Sequence, residues 1–395
     1  MLNSQPASPD ILPSSSGDSR AGLALWQRLR GFADIAMDPN VVNFWVSKLN
    51  PLWSLDQPMA RIVGREEAAS KSVTLILKPN RHVVIPQAGQ HISVATEING
   101  VRVARSYSTS LVPEQPGLLA ITVKQVEGGR LSNWLCLQAR EGDVLYLGQP
   151  FGDFQWPALQ QPVLLLAAGS GITPMISLLR QYARQAAKGG LFPSKQTVQL
   201  HYWVRRREEA CFIEELLALP KIQPNFSLHL YLTQQDHTQQ EPTQSYERSG
   251  RIEASQFAQQ EDLKNSHVLA CGPAGFVRSA QEILQAQVAS FQAEAFSPPQ
   301  ISTDAEATGC STVQITLQQQ QRILTVPVGQ SILAALEAEG INHPSGCRMG
   351  LCNTCACHKV SGSTQHLISG ESQHDENPAL RVCVSRASSD LVLDI

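Results

Sequence analysis

Gly346-Cys347-Arg348-Met349-Gly350-Leu351-Cys352-Asn353-Thr354-Cys355 packs three thiols into nine residues, and a fourth, Cys383, follows after 27 more. The spacing C-x4-C-x2-C…C is the plant-type pattern for four thiolates around a [2Fe–2S] cluster. Such a cluster takes soft, deprotonated sulfur at every corner. A loop curled this tightly must also bring its backbone close to the metal, and Gly346 and Gly350 suit that because glycine reaches positive φ without strain. A structural zinc knuckle draws its ligands from two close pairs, and a disulfide framework belongs to small secreted chains. Cys347, Cys352, Cys355 and Cys383 are therefore read as metal ligands.

Working outward, Thr312–Leu317 and Ile323–Val326 read as a hairpin and Ser331–Glu339 as a helix, so residues 312–395 form a compact α+β iron–sulfur domain. Residues 298–311, with Pro298-Pro299, read as a linker. Upstream, over 159–297, apolar strands at Val163–Ala168, Val198–Val204, Ser227–Leu232 and His267–Ala270 alternate with helical stretches from Pro174, at Glu208–Leu219 and at Gly275–Gln287. That rhythm predicts a doubly wound parallel sheet. Residues 57–158 change to short strands (Ser72–Leu77, His91–Thr96, Val101–Ser106, Leu118–Val126, Asp143–Leu147) around one helix near Leu131–Gln138. Asn99-Gly100 is a strong hairpin signal, and the set predicts an antiparallel β-barrel. Residues 1–20 are expected to be disordered. Residues 21–56 read as two short amphipathic helices broken at Asp38-Pro39. Their Trp and Phe side chains would pack on the next domain or, over 21–53, face a docking partner or membrane surface.

A net charge of −3 with 16% charged residues gives no sign of a nucleic-acid partner. No apolar run approaches the ~18 residues that span a bilayer, and the start of the chain lacks the pattern of a secretory signal. Cys136, Cys211, Cys271, Cys310 and Cys357 are left over, an odd number without regular spacing, which fits a reducing compartment. A cytoplasmic protein is expected, membrane-associated if its partner is.

Five further segments carry chemistry. Arg105-Ser106-Tyr107-Ser108-Thr109-Ser110 ends a barrel strand, with Arg105 and Tyr107 on one face and Ser106 and Ser108 on the other. It supplies a cation for a phosphate, a flat ring and a polar hydrogen, the needs of a flavin. Lys124 and Gly128-Gly129-Arg130 precede a helix that starts at Leu131-Ser132, and free N–H groups there can seat a pyrophosphate. Ala168-Gly169-Ser170-Gly171-Ile172-Thr173-Pro174 joins a buried strand to a helix, with Thr173 as N-cap and Pro174 as first helical residue. Cys271-Gly272-Pro273 stands at a carboxyl strand end, where doubly wound sheets bind ligands. Arg205-Arg206-Arg207 could receive a 2′-phosphate, favouring NADPH over NADH.

Arg-x-Tyr-Ser, Gly-Ser-Gly-Ile-Thr-Pro and Cys-Gly-Pro, in that order, resemble the ferredoxin–NADP⁺ reductase superfamily, and the cysteine domain resembles plant-type ferredoxins. The resemblance implies that Arg105, Tyr107 and Ser108 hold FAD (or FMN, which some relatives use), with Ser108 near N5. It implies that Gly129 and Ser132 contact the flavin phosphates, and that Gly171, Thr173 and Cys271 face the pyridine nucleotide. Phe296 would cover the flavin ring. Thr109, Lys124, Gly169, Pro174, Arg205, Arg206, Gly272 and Pro273 complete the expected cofactor contacts, with Ser108 and Cys271 at the reacting centre. The stretch Leu49-Asn50-Pro51-Leu52-Trp53-Ser54 is similar to reductases that serve membrane stearoyl-CoA-type desaturases. NADPH, or NADH, would then feed a flavin, the cluster, and finally a diiron desaturase. The alternatives are a soluble ring-hydroxylating or other monooxygenase, or a redox sensor, for which the sequence offers no effector segment.

Overall fold

The computed structural model describes residues 39–50, 52–113, 115–157, 161–187, 196–221, 223–234, 244–258, 260, 262–296, 312–350, 352–367 and 370–395. The expectations for residues 1–20, for the first N-terminal helix and for the 298–311 linker lie outside them. By its contacts the chain divides after Gln57. In the N-terminal unit, α1 (Pro39–Leu49) starts at the predicted break. Asn43 Oδ1 accepts from Leu55 N (2.8 Å) and Ser54 Oγ (3.1 Å), which ties the following segment back to the helix.

In the second unit, β1 (Met59–Ala69), β2 (Ser72–Pro79), β3 (His91–Ile98), β4 (Val101–Leu111), β5 (Leu119–Lys124) and β6 (Val144–Leu147) close a barrel in the order β1-β2-β5-β4-β3-β6. Alternating side chains such as Ile62, Leu75, Ile92, Val94, Ile121 and Leu145 fill it, and α2 (Arg130–Leu137) inserts Leu131 and Leu135. β1 was not foreseen as a strand. In its second half Arg65, Glu66 and Glu67 are exposed in a row, with no apolar alternation.

The next layer holds β7 (Val163–Ala168), α3 (Ile172–Ala187), β8 (Val198–Val204), α4 (Ile213–Ala218), β9 (Phe226–Leu232), β10 (Glu247–Ser249), β11 (His267–Gly272), α5 (Ala274–Leu284) and β12 (Ser290–Ala295). The sheet is parallel throughout, in the order β10-β9-β8-β7-β11-β12. β7 is buried along its whole length, as a central parallel strand should be. The two outermost strands are short or polar, and the apolar-run criterion passed over them. α3 starts two residues before Pro174, after a 3₁₀ turn at Gly169–Gly171, so Thr173 is inside the helix and is not its N-cap. Nor does a helix start at Glu208-Glu209. Arg207–Glu209 is a 3₁₀ turn, and α4 begins at Ile213. Arg180 of α3 locks barrel to sheet, with bonds to Ser110 Oγ (2.8 Å) and Leu111 O (3.2 Å) and a two-point ion pair to Glu215 of α4.

The last domain pairs β13 (Thr312–Leu317) with β14 (Arg322–Pro327), followed by α6 (Ile332–Ala338). Ser331 caps α6, accepting from Ala334 N at 3.1 Å. The sheet is completed by β15 (Ala356–Ser361), β18 (Asn377–Arg381) and β20 (Leu391–Asp394) in the order β14-β13-β20-β15-β18. A small second sheet holds β16 (Thr364–His366), β17 (Ser372–Gln373) and β19 (Ser385–Ala387).

Candidate active site and metal centre

Gly171 decides how the two nucleotide motifs meet. A Cβ there would stand 2.0 Å from Cys271 O and 2.8 Å from Gly272 N, so only glycine lets the first turn of the sheet close on the end of β11. Phe296 N donates to Gly272 O at 2.9 Å, bringing the predicted flavin-covering residue to the same strand end. From the barrel side, Thr173 Oγ1 donates to Ser108 Oγ at 3.1 Å and reaches Ser170 O at 2.9 Å. Ser108, Thr109, Thr173 and Cys271 are all buried. Arg105 is exposed, and Tyr107 is half-buried against the barrel core. Burial pushes the Tyr107 phenol up, so it stays protonated.

The junction holds two residues that the motifs do not announce. His91 faces Ser108 in the β3–β4 register and Glu294 faces Cys271 in the β11–β12 register. His91 Nε2 and Glu294 Oε2 lie 3.4 Å apart, and the Phe296 ring meets the imidazole edge-on at 5.4 Å. Burial pushes the Glu294 carboxyl up to about 8 and the His91 imidazole down to about 4. Around pH 6 both are neutral, so the contact is not an ion pair. Burial raises the Cys271 thiol well above its usual value, with Glu294 adding to it. A lone Glu in Ala293-Glu294-Ala295-Phe296 is the signal that was available: a carboxylate in a small-residue strand.

The flavin expectations find a matching cradle. α2 begins at Arg130, and its N-cap Gly129 offers no side-chain hydrogen bond to the N–H groups of the first turn; a Cβ on Gly129 would stand 2.3 Å from Ser132 Oγ. For the nucleotide, a cavity of about 690 Å³ opens at the carboxyl end of the sheet between Gly169, Ser170, Arg205, Pro273, Arg251 and Lys124. Arg206 is exposed and is not among its lining residues, and Arg207 pairs with the buried Glu247. A larger cavity of about 1050 Å³ is lined by Val163 and Thr197 at the amino ends of β7 and β8 and by His201, His229, Tyr231 and Arg248 further along the strands. Doubly wound sheets bind at the carboxyl ends, so the smaller cavity is the candidate.

At the cysteine loop, no three thiols, imidazoles or carboxylates among the described residues converge on a single ion. The sulfurs stand instead as two pairs, which suits two irons. Cys347 N donates to Cys352 Sγ (3.2 Å) and Cys352 N to Cys347 Sγ (3.3 Å), while Cys355 and Cys383 share a thiol hydrogen bond. The Cys347 thiol, with help from Thr354, brings Cys352 down to about 4, and the Cys383 thiol brings Cys355 down to about 7. Burial pushes Cys357 up to about 12. Cys352 and Cys355 thus sit where thiolate is favoured, while Cys383 is pushed up as the protonated partner of Cys355 and Cys357 is held as a thiol by burial. Gly350 has φ +75°. Gly346 is needed for space instead, since a Cβ there would stand 2.8 Å from Cys352 Sγ.

Comparison with known proteins gives three family matches: an oxidoreductase FAD-binding domain over residues 65–156, an oxidoreductase NAD-binding domain over 165–282, and a 2Fe-2S iron-sulfur cluster binding domain over 315–388. An NADPH oxidoreductase of Mycobacterium tuberculosis is 30% identical over 378 residues, covering 94% of this chain and 93% of that one. The chain belongs to the flavin- and [2Fe–2S]-dependent NAD(P)H oxidoreductases. The reductase is also 29% identical to the glycine betaine monooxygenase reductase subunit of Pseudomonas aeruginosa, over 78% of this chain and 86% of that one. The solved structure of phthalate dioxygenase reductase superposes with a TM-score of 0.53 at 25% identity, over 85% of this chain and 97% of that one. The barrel, parallel sheet and cluster domain expected from the sequence are thereby borne out.

Proposed function

We propose that the reductase draws electrons from NADPH and passes them singly to a separate metal-dependent oxygenase, with a membrane diiron fatty-acid desaturase as the acceptor. The observation that carries the electron-transfer reading is the Thr173–Ser108 hydrogen bond, which sets the flavin motif and the nucleotide motif in one buried junction. When bound, the flavin and the cluster supply the conversion of a two-electron donor into single-electron deliveries. The chain's part is to bind, orient and exclude water. Arg105 and the α2 N-terminus with Gly129 and Ser132 offer donors to the flavin phosphates, and Lys124, which lines the cavity with Gly169 and Ser170, offers one to those of the nucleotide. Tyr107 and Phe296 offer ring faces, Ser108 and Thr109 orient the reacting edge, and Gly169, Gly171, Pro174, Gly272 and Pro273 shape the nucleotide side. Arg205, with Arg206 nearby, favours a 2′-phosphate. Cys271 borders the nicotinamide, and Glu294 keeps a proton beside it.

The desaturase assignment is supported by the N-terminal unit. Trp45, Leu49 and Trp53 are 64%, 78% and 55% exposed there, a face suited to a membrane-bound partner. The Mycobacterium relative, which matches 94% of the chain, must share part of that unit. A soluble oxygenase is the second reading, favoured by the names of the glycine betaine monooxygenase and phthalate dioxygenase reductases. Stopped-flow absorbance with NADPH and NADH separately tests the first half; an absence of flavin bleaching and of cluster reduction with both would sink it. Reconstitution with a desaturase in liposomes and with soluble oxygenases tests the second, and turnover of soluble oxygenases alone would exclude the desaturase.

A further inference from the structure

Lys124 Nζ of β5 lies 2.6 Å from Glu209 Oε2 in the turn after β8, and both line the cavity that contains Gly169, Ser170 and Arg205. The pair crosses from barrel to sheet, yet it is not what joins them. Ser70 N donates to Glu208 O at 2.7 Å beside it, and Arg180 holds Ser110 and Glu215 further along. With side chains 34% and 19% exposed, the pair is partly wet and correspondingly weak. Among the described lining residues Glu209 is the one carboxylate, set among Lys124, Arg205 and Arg251. A diphosphate resting on Gly169-Ser170 brings negative charge into the same space, so carboxylate and phosphate compete for one ammonium.

We infer that Glu209 is a built-in competitor for the nucleotide's diphosphate. In the empty enzyme it holds Lys124. On binding, the ammonium passes from carboxylate to phosphate, and when the oxidised nucleotide leaves, Glu209 takes it back. Affinity is thereby set below what the three cations alone would give, and release is eased. This inference rests on the assignment of the cavity to the pyridine nucleotide. The rival role for Glu209, accepting a hydrogen bond from a ribose hydroxyl, predicts the opposite sign.

The test is the Kd of NADP⁺ for the flavin- and cluster-loaded enzyme, by titration calorimetry, in the wild type, Glu209→Gln, Lys124→Met, the double variant and Arg205→Ala. Flavin content and thermal midpoint confirm that each is folded. Glu209→Gln is expected to lower Kd about two- to fivefold, the scale of a half-exposed ion pair, and Lys124→Met to raise it. Most of the gain from Glu209→Gln should vanish in the Lys124→Met background. If Glu209→Gln leaves Kd unchanged or raises it while Lys124→Met still weakens binding, the competitor role is overturned and the cavity assignment stands. A gain that persists in full without Lys124 also overturns it, because the carboxylate would then act by simple repulsion. If Lys124→Met and Arg205→Ala both leave Kd untouched, the cavity assignment itself fails.

Discussion

Glu294 carries its carboxyl in a buried site where a backbone hydrogen bond at Asp153 offsets the burial only in part. Its pKa rises from 4.5 to about 8, so between those values the native chain holds a proton that the unfolded chain has lost. Stability therefore falls as pH rises through that window. His91 has the reverse sign. Its pKa drops from 6.5 to about 4, the unfolded chain binds the extra proton, and stability falls as pH drops through that range. Above pH 6.5 only Glu294 of the two still acts. The thermal midpoint of the wild type should decline from about pH 6.5 to about 8, where the folded carboxyl ionises, and Glu294→Gln should flatten that slope; equal slopes would show that the carboxyl is already ionised. At the cluster, Cys352→Ser should abolish the visible iron–sulfur absorbance while Cys357→Ser retains it, because Cys352 sits among donors that favour thiolate and Cys357 sits in apolar surroundings. The cysteines were legible in the sequence because their spacing alone implies chemistry. His91 and Glu294 were not, since each acquires meaning only from the residue opposite it in the β3–β4 and β11–β12 registers.

Among the elements, the central strands were readable because burial on both faces leaves an unbroken apolar run, as in β7, and because Asn99-Gly100 fixes the β3–β4 turn. Edge strands escaped: β10 has three residues and β12 carries Gln and Glu, so neither shows an apolar run. The start of α3 was misjudged for a related reason. Thr173 and Pro174 carry helix-start chemistry, but the tight approach of Gly171 to Cys271 imposes a 3₁₀ turn and starts the helix at Ile172. The same approach gives a prediction for the turn. Gly171→Ala puts a methyl into Cys271 O, which backbone must move to relieve, at a cost of about 1–3 kcal/mol. Because the shift separates β7 from β11 at the nucleotide end, the variant should lower the urea midpoint and also weaken NADP⁺ binding. A wild-type midpoint with wild-type Kd would mean that the turn has slack.

At the scale of the molecule, the three cofactor domains lie from Pro58 onward, while the residues up to Gln57 form a unit of their own. α1 contains no acidic residue in its first turn and carries Lys48 in its last. Trp45, Leu49, Trp53 and Leu55 are exposed apolar side chains, and among the described residues the three main cores draw on side chains from Ala60 onward. Removal of residues 1–57 should therefore separate two properties. Electron flow from NADPH to ferricyanide, a small acceptor that needs no docking, should stay within about twofold of the full chain, because none of the proposed flavin, nucleotide or cluster contacts is deleted. Flow to a liposome-bound desaturase should fall by tenfold or more, since a shared interface raises the local concentration of the partner, and co-sedimentation with the vesicles should fall with it. Equal desaturase rates for the full and shortened chains would show that the acceptor reads the cluster domain alone. Loss of ferricyanide reduction would show instead that the N-terminal unit supports the fold of the barrel.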